Sequence, residues 1–321
     1  MRHSLFSLLF LLFPLCTHAQ QYLLLWRNGE VVAKQPVTEL DSVTVGVFSE
    51  GDKNFRYGYS LLTDTEKKTY DYIVARLLAF EDNADYYGDF QHRVYMDFTE
   101  VGVTMGIYDL MRYLSVIKDD MPQLFHLATH IPRSAGSNTY YARITKSFTP
   151  EVYAKAMTDI ETIADELLSG ITPTMTEYEK VKLIHDRYID YGDYGGMSDA
   201  NAGNLYGGII NKKAVCEGLS RTFLYLCQKA GVKCMYAGGS QMTSTDPETW
   251  GNHAWNFVQI DDRWYLVDMT ADGAFPGHTG YVGFLRGQSY FDQNYRLTDS
   301  TGADANANYK SLPTLSPTDY K

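Results

Sequence analysis

The chain reads as an α+β protein: a helix that begins at a cysteine, packed on an antiparallel sheet, preceded by a helical region and a small N-terminal β unit. Three observations lead there. "VCEGLSRTFLYLCQKAGV" carries apolar residues at helical spacing. "NHAWNFVQIDDRWYLVDMT" is two alternating apolar runs flanking a two-residue turn, the pattern of a hairpin. Residues 59 to about 190 carry repeated helix-start signals.

With 321 residues, 45 % hydrophobic and 21 % charged, the chain has enough apolar content for a sizeable core. A formal net charge of −11 argues against nucleic acid and against anionic membrane surfaces as partners.

The first residues, "MRHSLFSLLFLLFPLCTHAQ", combine Arg2, an apolar run from Leu5 to Leu15 and a small-residue site at Thr17-His18-Ala19. This is the pattern of a cleavable export signal over residues 1–19, too short for a spanning helix. Leu15 is too large for lipoprotein processing at Cys16, so plain export is expected over a lipid anchor. No later stretch is apolar enough to span a membrane.

Residues 20–57 form the β unit. Asn28-Gly29 between apolar runs is a hairpin turn signal. The unit resembles the N-terminal stretch of many exported Bacteroidetes proteins, and we assign it no chemistry. The helical region, 58–175, opens with a capping box at Thr63 and Glu66, followed by Tyr70, Ile73, Val74, Leu77 and Leu78 at helical spacing. Thr149-Pro150 opens another helix with a stripe of Met157, Ile160, Ala164, Leu167 and Leu168, stopped at Gly170. The core, 176–321, begins with a third helix. Thr176 and Glu179 cap it, and Val181, Ile184 and Tyr188 face inward. His185 beside that stripe reads as a packed or hydrogen-bonded core residue rather than a ligand. Most of the 26 tyrosines read as ordinary packing, with Tyr191 and Tyr194 held open as walls of an aromatic groove.

Three cysteines, Cys216, Cys227 and Cys234, lie beyond the export signal, an odd number that leaves at least one thiol unpaired. Their spacing lacks the close pairs of structural zinc sites. Leu219, Thr222, Phe223, Leu226, Cys227 and Ala230 form one helical stripe ended by Gly231, which makes Cys227 a core residue. Cys234 falls in the strand that follows. An exported location permits a Cys227–Cys234 disulfide, which spacing alone does not show. Cys216 differs: it begins the helix, where unpaired N–H groups and the helix dipole favour a thiolate and can hold an oxyanion.

A base is then required. If Asp261-Asp262 forms the hairpin turn, with positive φ at Asp262, residue 260 pairs with 263, His253 with Thr270 and Trp255 with Asp268. His253 and Asp268 become diagonal neighbours on one face, so a carboxylate can orient the imidazole. A cysteine at a helix start, with a histidine and an aspartate joined by a hairpin, is an arrangement for thiol nucleophilic catalysis.

These residues also carry a resemblance. "YGGIINKKAVCEGLSRTFLYLCQKAGV", "HAWNFVQIDDRWYLVDMT" and "GFLRGQSYF" resemble the transglutaminase-like superfamily, near its bacterial secreted branch, from about Glu177 to Phe291. "TEYEKVKLIHDRYIDY" resembles the helix before that core, and the earlier helical part is similar more loosely. The resemblance implies a papain-like α+β core in which Cys216 is the nucleophile, His253 the base and Asp268 the orienting acid. Leu219 stands where tyrosine is common and Asp262 where glycine is common; neither touches the triad. Arylamine N-acetyltransferases share the triad order, but their glycine-rich approach to the cysteine is missing here.

The expected function is an exported cysteine peptidase or amidase acting through a thioester. The alternatives are a non-catalytic peptide- or glycan-binding module, a cross-linking transglutaminase and a peptide N-glycanase-like amidase. Substrates expected are peptide, protein or peptidoglycan stem peptide. Tyr194 and Trp255 are candidates for lining the site and for the second oxyanion donor. No nucleotide or calcium motif is visible, so no cofactor is implied.

Overall fold

A computed structural model describes residues 22–27, 30–36, 53, 55–79, 90–242, 249–273 and 280–321. The chain divides into two units, Met1–Phe48 and Ser49–Lys321. In the first, β1 (Tyr22–Arg27) and β2 (Glu30–Pro36) pair antiparallel with Arg27 opposite Glu30, so two residues link them. The Asn28-Gly29 turn itself and the export signal with Cys16 lie outside the described residues.

The second unit opens with α1 (Tyr57–Ser60), α2 (Asp64–Leu78), β3 (Phe90–Asp97), α3 (Ile107–Asp120), β4 (Arg133–Gly136), β5 (Thr139–Thr145) and α4 (Pro150–Leu167). It continues through α5 (Glu177–Tyr191), β6 (Asp193–Tyr194), α6 (Leu205–Ile209), β7 (Lys213–Ala214), α7 (Cys216–Lys229), β8 (Cys234–Met242) and β9 (Trp250–Ile260). The last elements are β10 (Arg263–Val267), α8 (Met269–Gly273), α9 (Gln288–Asn294) and β11 (Tyr295–Arg296).

The helix starts follow the local chemistry. Thr63 with Glu66 and Thr176 with Glu179 make reciprocal capping boxes, and Thr149 caps α4 ahead of Pro150. The region read as mostly helical also contains a sheet, ordered β3-β5-β4. Its strands have period two: Val94, Met96, Ala142 and Ile144 are buried, while Arg93, Tyr95, Tyr141 and Arg143 alternate with them toward the other face.

The core sheet is antiparallel, ordered β10-β9-β8-β11. Met235, Ala237, Trp255, Phe257 and Leu266 build a cluster with Phe291 and Tyr295. Residues of the opposite parity, Cys234, Val258, Ile260, Tyr265 and Val267, join the main core with α7. Asn256 pins helix to sheet: its buried Nδ2 donates to Ser220 O of α7 at 3.0 Å and to Met235 O of β8 at 3.2 Å.

One amphipathic stripe was expected on α7, but the helix is buried on all sides from Gly218 to Gln228. The helical region covers its outer face. Arg221 donates to Lys118 O at 2.7 Å and Asp119 Oδ1 at 2.9 Å, and Gln228 donates to Asp120 O at 2.8 Å. These polar residues look like a solvent face in the sequence but are buried with partners. Gly231 ends the helix at φ +73°. Among the described residues no helix is long and apolar enough to cross a membrane.

Asn256→Ala should cost about 1–3 kcal/mol in urea unfolding, because both buried carbonyls lose a donor. A loss below about 0.5 kcal/mol, the range of ordinary surface changes, would remove Asn256 from this account.

Candidate active site

The site is assembled from the start of α7 and the ends of β9 and β10. Cys216 is the first residue of α7 and is partly exposed. Thr and Asn residues cap α2, α4, α5 and α6, but Val215 at the N-cap of α7 supplies no side-chain acceptor. The first-turn N–H groups of α7 therefore remain open toward an anion.

Two neighbours fix this turn. Gly218 runs so close to the 199–203 loop that a Cβ would stand 2.2 Å from Ala202 O. Glu217 accepts from Arg221 Nε at 3.0 Å and lies 3.6 Å from Lys118 Nζ. Burial opposes the charge of Glu217, but Arg221 and Lys118 hold its carboxyl below the usual range. Arg221 also stacks on Tyr236, 4.2 Å from the ring centre.

The hairpin register places the partner residues. Asp261 and Asp262 both adopt positive φ, 50° and 61°, and Ile260 faces Arg263. The pairing runs as far as Val267 opposite Asn256 and stops there. The expected pairs His253–Thr270 and Trp255–Asp268 do not form. The reason is Asp268 itself: its Oδ1 accepts from Thr270 N at 2.9 Å and Ala271 N at 3.1 Å, which turns the chain into α8. Its own N–H donates to Gly283 O at 2.9 Å instead of to β9.

The side chains still meet. His253 Nε2 lies 2.8 Å from Asp268 Oδ2. Asp268 leaves the other ring nitrogen free of its carboxylate, and Cys216 stands near enough to act on the charge of the imidazole. Burial works against a charge on His253, but the Asp268 carboxylate and then Cys216 outweigh it and push the imidazole up to about 10. Tyr194, on β6 alongside the strand that leads into Cys216, is partly buried. Burial and the nearby Cys216 raise its hydroxyl. Trp255 is fully buried behind His253, with ring centres 6.1 Å apart.

Cys227 and Cys234 are buried free thiols, and burial together with Cys227 pushes Cys234 well above the ordinary range. Among the described residues no group of three or more His, Cys, Asp or Glu is placed to hold a metal. A cleft beside Glu217 and Arg221 is lined also by Leu124, Phe125, Asn201 and Asn204.

Sequence reasoning missed a second buried pair. His185 is bonded at both nitrogens, Nε2 to Asp272 at 3.0 Å and Nδ1 to Asp186 at 3.0 Å. Asp272 Oδ1 accepts the Gly283 N–H at 2.7 Å, and the Gly283 carbonyl accepts the Asp268 N–H. The 281–284 segment is thus clamped between the two aspartates. The spacing of four residues between Asp268 and Asp272 was the available signal.

Residues 161–269 match the family model of the transglutaminase-like superfamily. The chain therefore carries a transglutaminase-like domain with a mixed helix-and-sheet core. Kyphoscoliosis peptidase of Homo sapiens is 29 % identical over 152 residues, covering 44 % of this chain and 23 % of that protein. The matched stretch thus spans less than a quarter of that relative. A crystal structure of a TGase aligns at TM-score 0.33 and 15 % identity over 60 % of this chain and 55 % of that one. The periplasmic domain of TgpA from Pseudomonas aeruginosa, bound to ethylmercury, aligns at TM-score 0.28 and 16 % identity over 43 % and 57 %.

The fold favours the protonated form of His253. Its contribution to stability is fully present below the ordinary value of 6.5 and lost as pH rises through about 10. The stability difference between the protein and His253→Gln should therefore shrink across that window in urea unfolding. Parallel curves for the two proteins would contradict the charged imidazole.

Proposed function

We propose that the transglutaminase-like domain of this chain is an exported cysteine peptidase or amidase, with Cys216 as nucleophile, His253 as proton carrier and Asp268 as the acid that orients it. The observation that supports this best is the bonding of His253: Asp268 holds Nε2, which leaves Nδ1 for a thiol at an uncapped helix start. Cysteine-dependent catalysis is general in this superfamily. The export segment at residues 1–19 underlies the proposed location outside the cytoplasm.

In this reading the Cys216 sulfur attacks the amide carbonyl carbon. The oxyanion is held by the Cys216 N–H and, we propose, by the Tyr194 hydroxyl. His253, already protonated, gives its Nδ1 proton to the leaving amine as the C–N bond breaks. A thioester remains. Neutral His253 then takes a proton from water, which attacks the thioester and releases the acid and the free Cys216. The cleft beside Glu217, lined by apolar side chains such as Leu124 and Phe125 and by the amides of Asn201 and Asn204, suits an extended peptide, including a protein segment or a peptidoglycan stem peptide.

Three tests bear on the reading. Iodoacetamide at mildly acidic pH should label Cys216 faster than Cys227 or Cys234; equal or slower labelling of Cys216 would remove the nucleophile. Asp268→Asn should keep the fold and lower turnover roughly 10²- to 10⁴-fold, and near-full turnover would remove the third member. Incubation with amide substrates and a primary-amine dye should release amine or ammonia with little dye incorporated. Stoichiometric incorporation would instead identify a cross-linking enzyme, and tight peptide or glycan binding without turnover a binding module.

A further inference from the structure

We propose that Tyr295 is a positioning residue of this site: its hydroxyl, locked as a donor by Gln241, holds the Asp268 carboxylate and limits how strongly that carboxylate acts on His253. The proposal deepens the functional reading above and rests on its roles for His253 and Asp268.

Tyr295 Oη lies 2.7 Å from Asp268 Oδ2, the same oxygen that His253 Nε2 approaches at 2.8 Å. A phenol can donate one hydrogen bond and accept others, so its direction has to be established. Gln241 settles it. Tyr295 and Gln241 stand directly opposite on β11 and β8, and Gln241 Nε2 donates to Tyr295 Oη at 3.1 Å. The hydroxyl oxygen is an acceptor there, and its single proton is left for Asp268. Burial and the adjacent carboxylate both oppose ionisation of Tyr295, which keeps that proton in place.

The ring of Tyr295 needs no hydroxyl for its packing. It stacks on Phe291 with centres 5.7 Å apart and meets Trp255 edge-on at 5.0 Å, contacts that phenylalanine would keep. The hydroxyl is therefore accounted for by the carboxylate. With it, Asp268 accepts four hydrogen bonds: two backbone N–H groups on Oδ1, and His253 and Tyr295 on Oδ2. Two donors on one oxygen share its charge. Removing the neutral one leaves more of that charge to the imidazolium.

The other ionisable groups around the pair are Cys216 from α7, Tyr290 from α9 with Arg286 stacked on it, and Asp272 from α8. None of them bonds to the Tyr295 hydroxyl in place of Gln241 and Asp268.

The test is an NMR titration of His253 in the ¹⁵N-histidine-labelled full chain, assigned by comparison with His253→Gln. It needs no substrate, so absence of turnover would count against the functional reading and leave this result standing. Tyr295→Phe should melt close to the parent and move the His253 midpoint up by about 0.4–1 unit. Gln241→Leu, which frees the hydroxyl from its lock, should move it the same way by less. If turnover is found, the high-pH limb of kcat/KM should move with the midpoint in both variants. A midpoint in Tyr295→Phe that stays within about 0.2 unit of the parent, or moves down, overturns the proposal. If Tyr295→Phe does not fold, an unmoved or lowered midpoint in Gln241→Leu overturns it.

Discussion

The carboxylate of Asp268 is the point on which the rest of the site depends. It is fully buried and accepts from two backbone N–H groups, one imidazole and one phenol. An anion without water is costly unless its lone pairs are filled, and here four donors fill them. The four donors come from three different parts of the structure. The backbone pair begins α8, the imidazole comes from β9 and the phenol from β11. One charged group thus ends a strand, starts a helix and orients a ring. The second pair, His185 and Asp272, supports the same point from behind through Gly283.

The nucleophile side of the site is held by burial and by the ion pairs of Arg221. α7 lies between the core sheet and the helical region, and its polar residues are spent on tying those layers together. Asn256 reaches from the sheet to Ser220, and Arg221 reaches from α7 to Asp119 and the Lys118 carbonyl of α3. A helix gripped along its length fixes where its first residue stands. That rigidity matters because a thiol and an imidazole must meet within a few tenths of an ångström to exchange a proton.

Much of this was legible in the chain. The capping boxes at Thr63 and Thr176, the Cys216 helix start and the Asp261-Asp262 turn are local patterns, decided by neighbours in sequence. The meeting of His253 and Asp268 followed from counting outward from that turn, although the counting ran past the end of the ladder at Val267. Asp268 leaves the ladder because it can cap α8, a competition between two local preferences that alternation alone does not reveal. His185 was legible as a hydrogen-bonded core residue, but its partner Asp272 was signalled only by the four-residue spacing from Asp268, and the role of Tyr295 was not legible. These contacts run across 87 and 27 positions, which local patterns do not connect. The burial of Arg221 and Gln228 was hidden for the same reason: the layer that covers them comes from α3, about a hundred residues earlier.

The central claim is that Cys216 carries the acyl group of a cleaved amide. Acid-quench mass spectrometry tests it most directly. The protein is mixed with a pool of unstructured peptides, stopped with acid within the first turnovers, digested and searched for thioester adducts. The account predicts an acyl group on Cys216, absent in Cys216→Ala and on Cys227 and Cys234. Peptide cleavage that persists in Cys216→Ala, or an adduct on either of the buried thiols in place of Cys216, would contradict it.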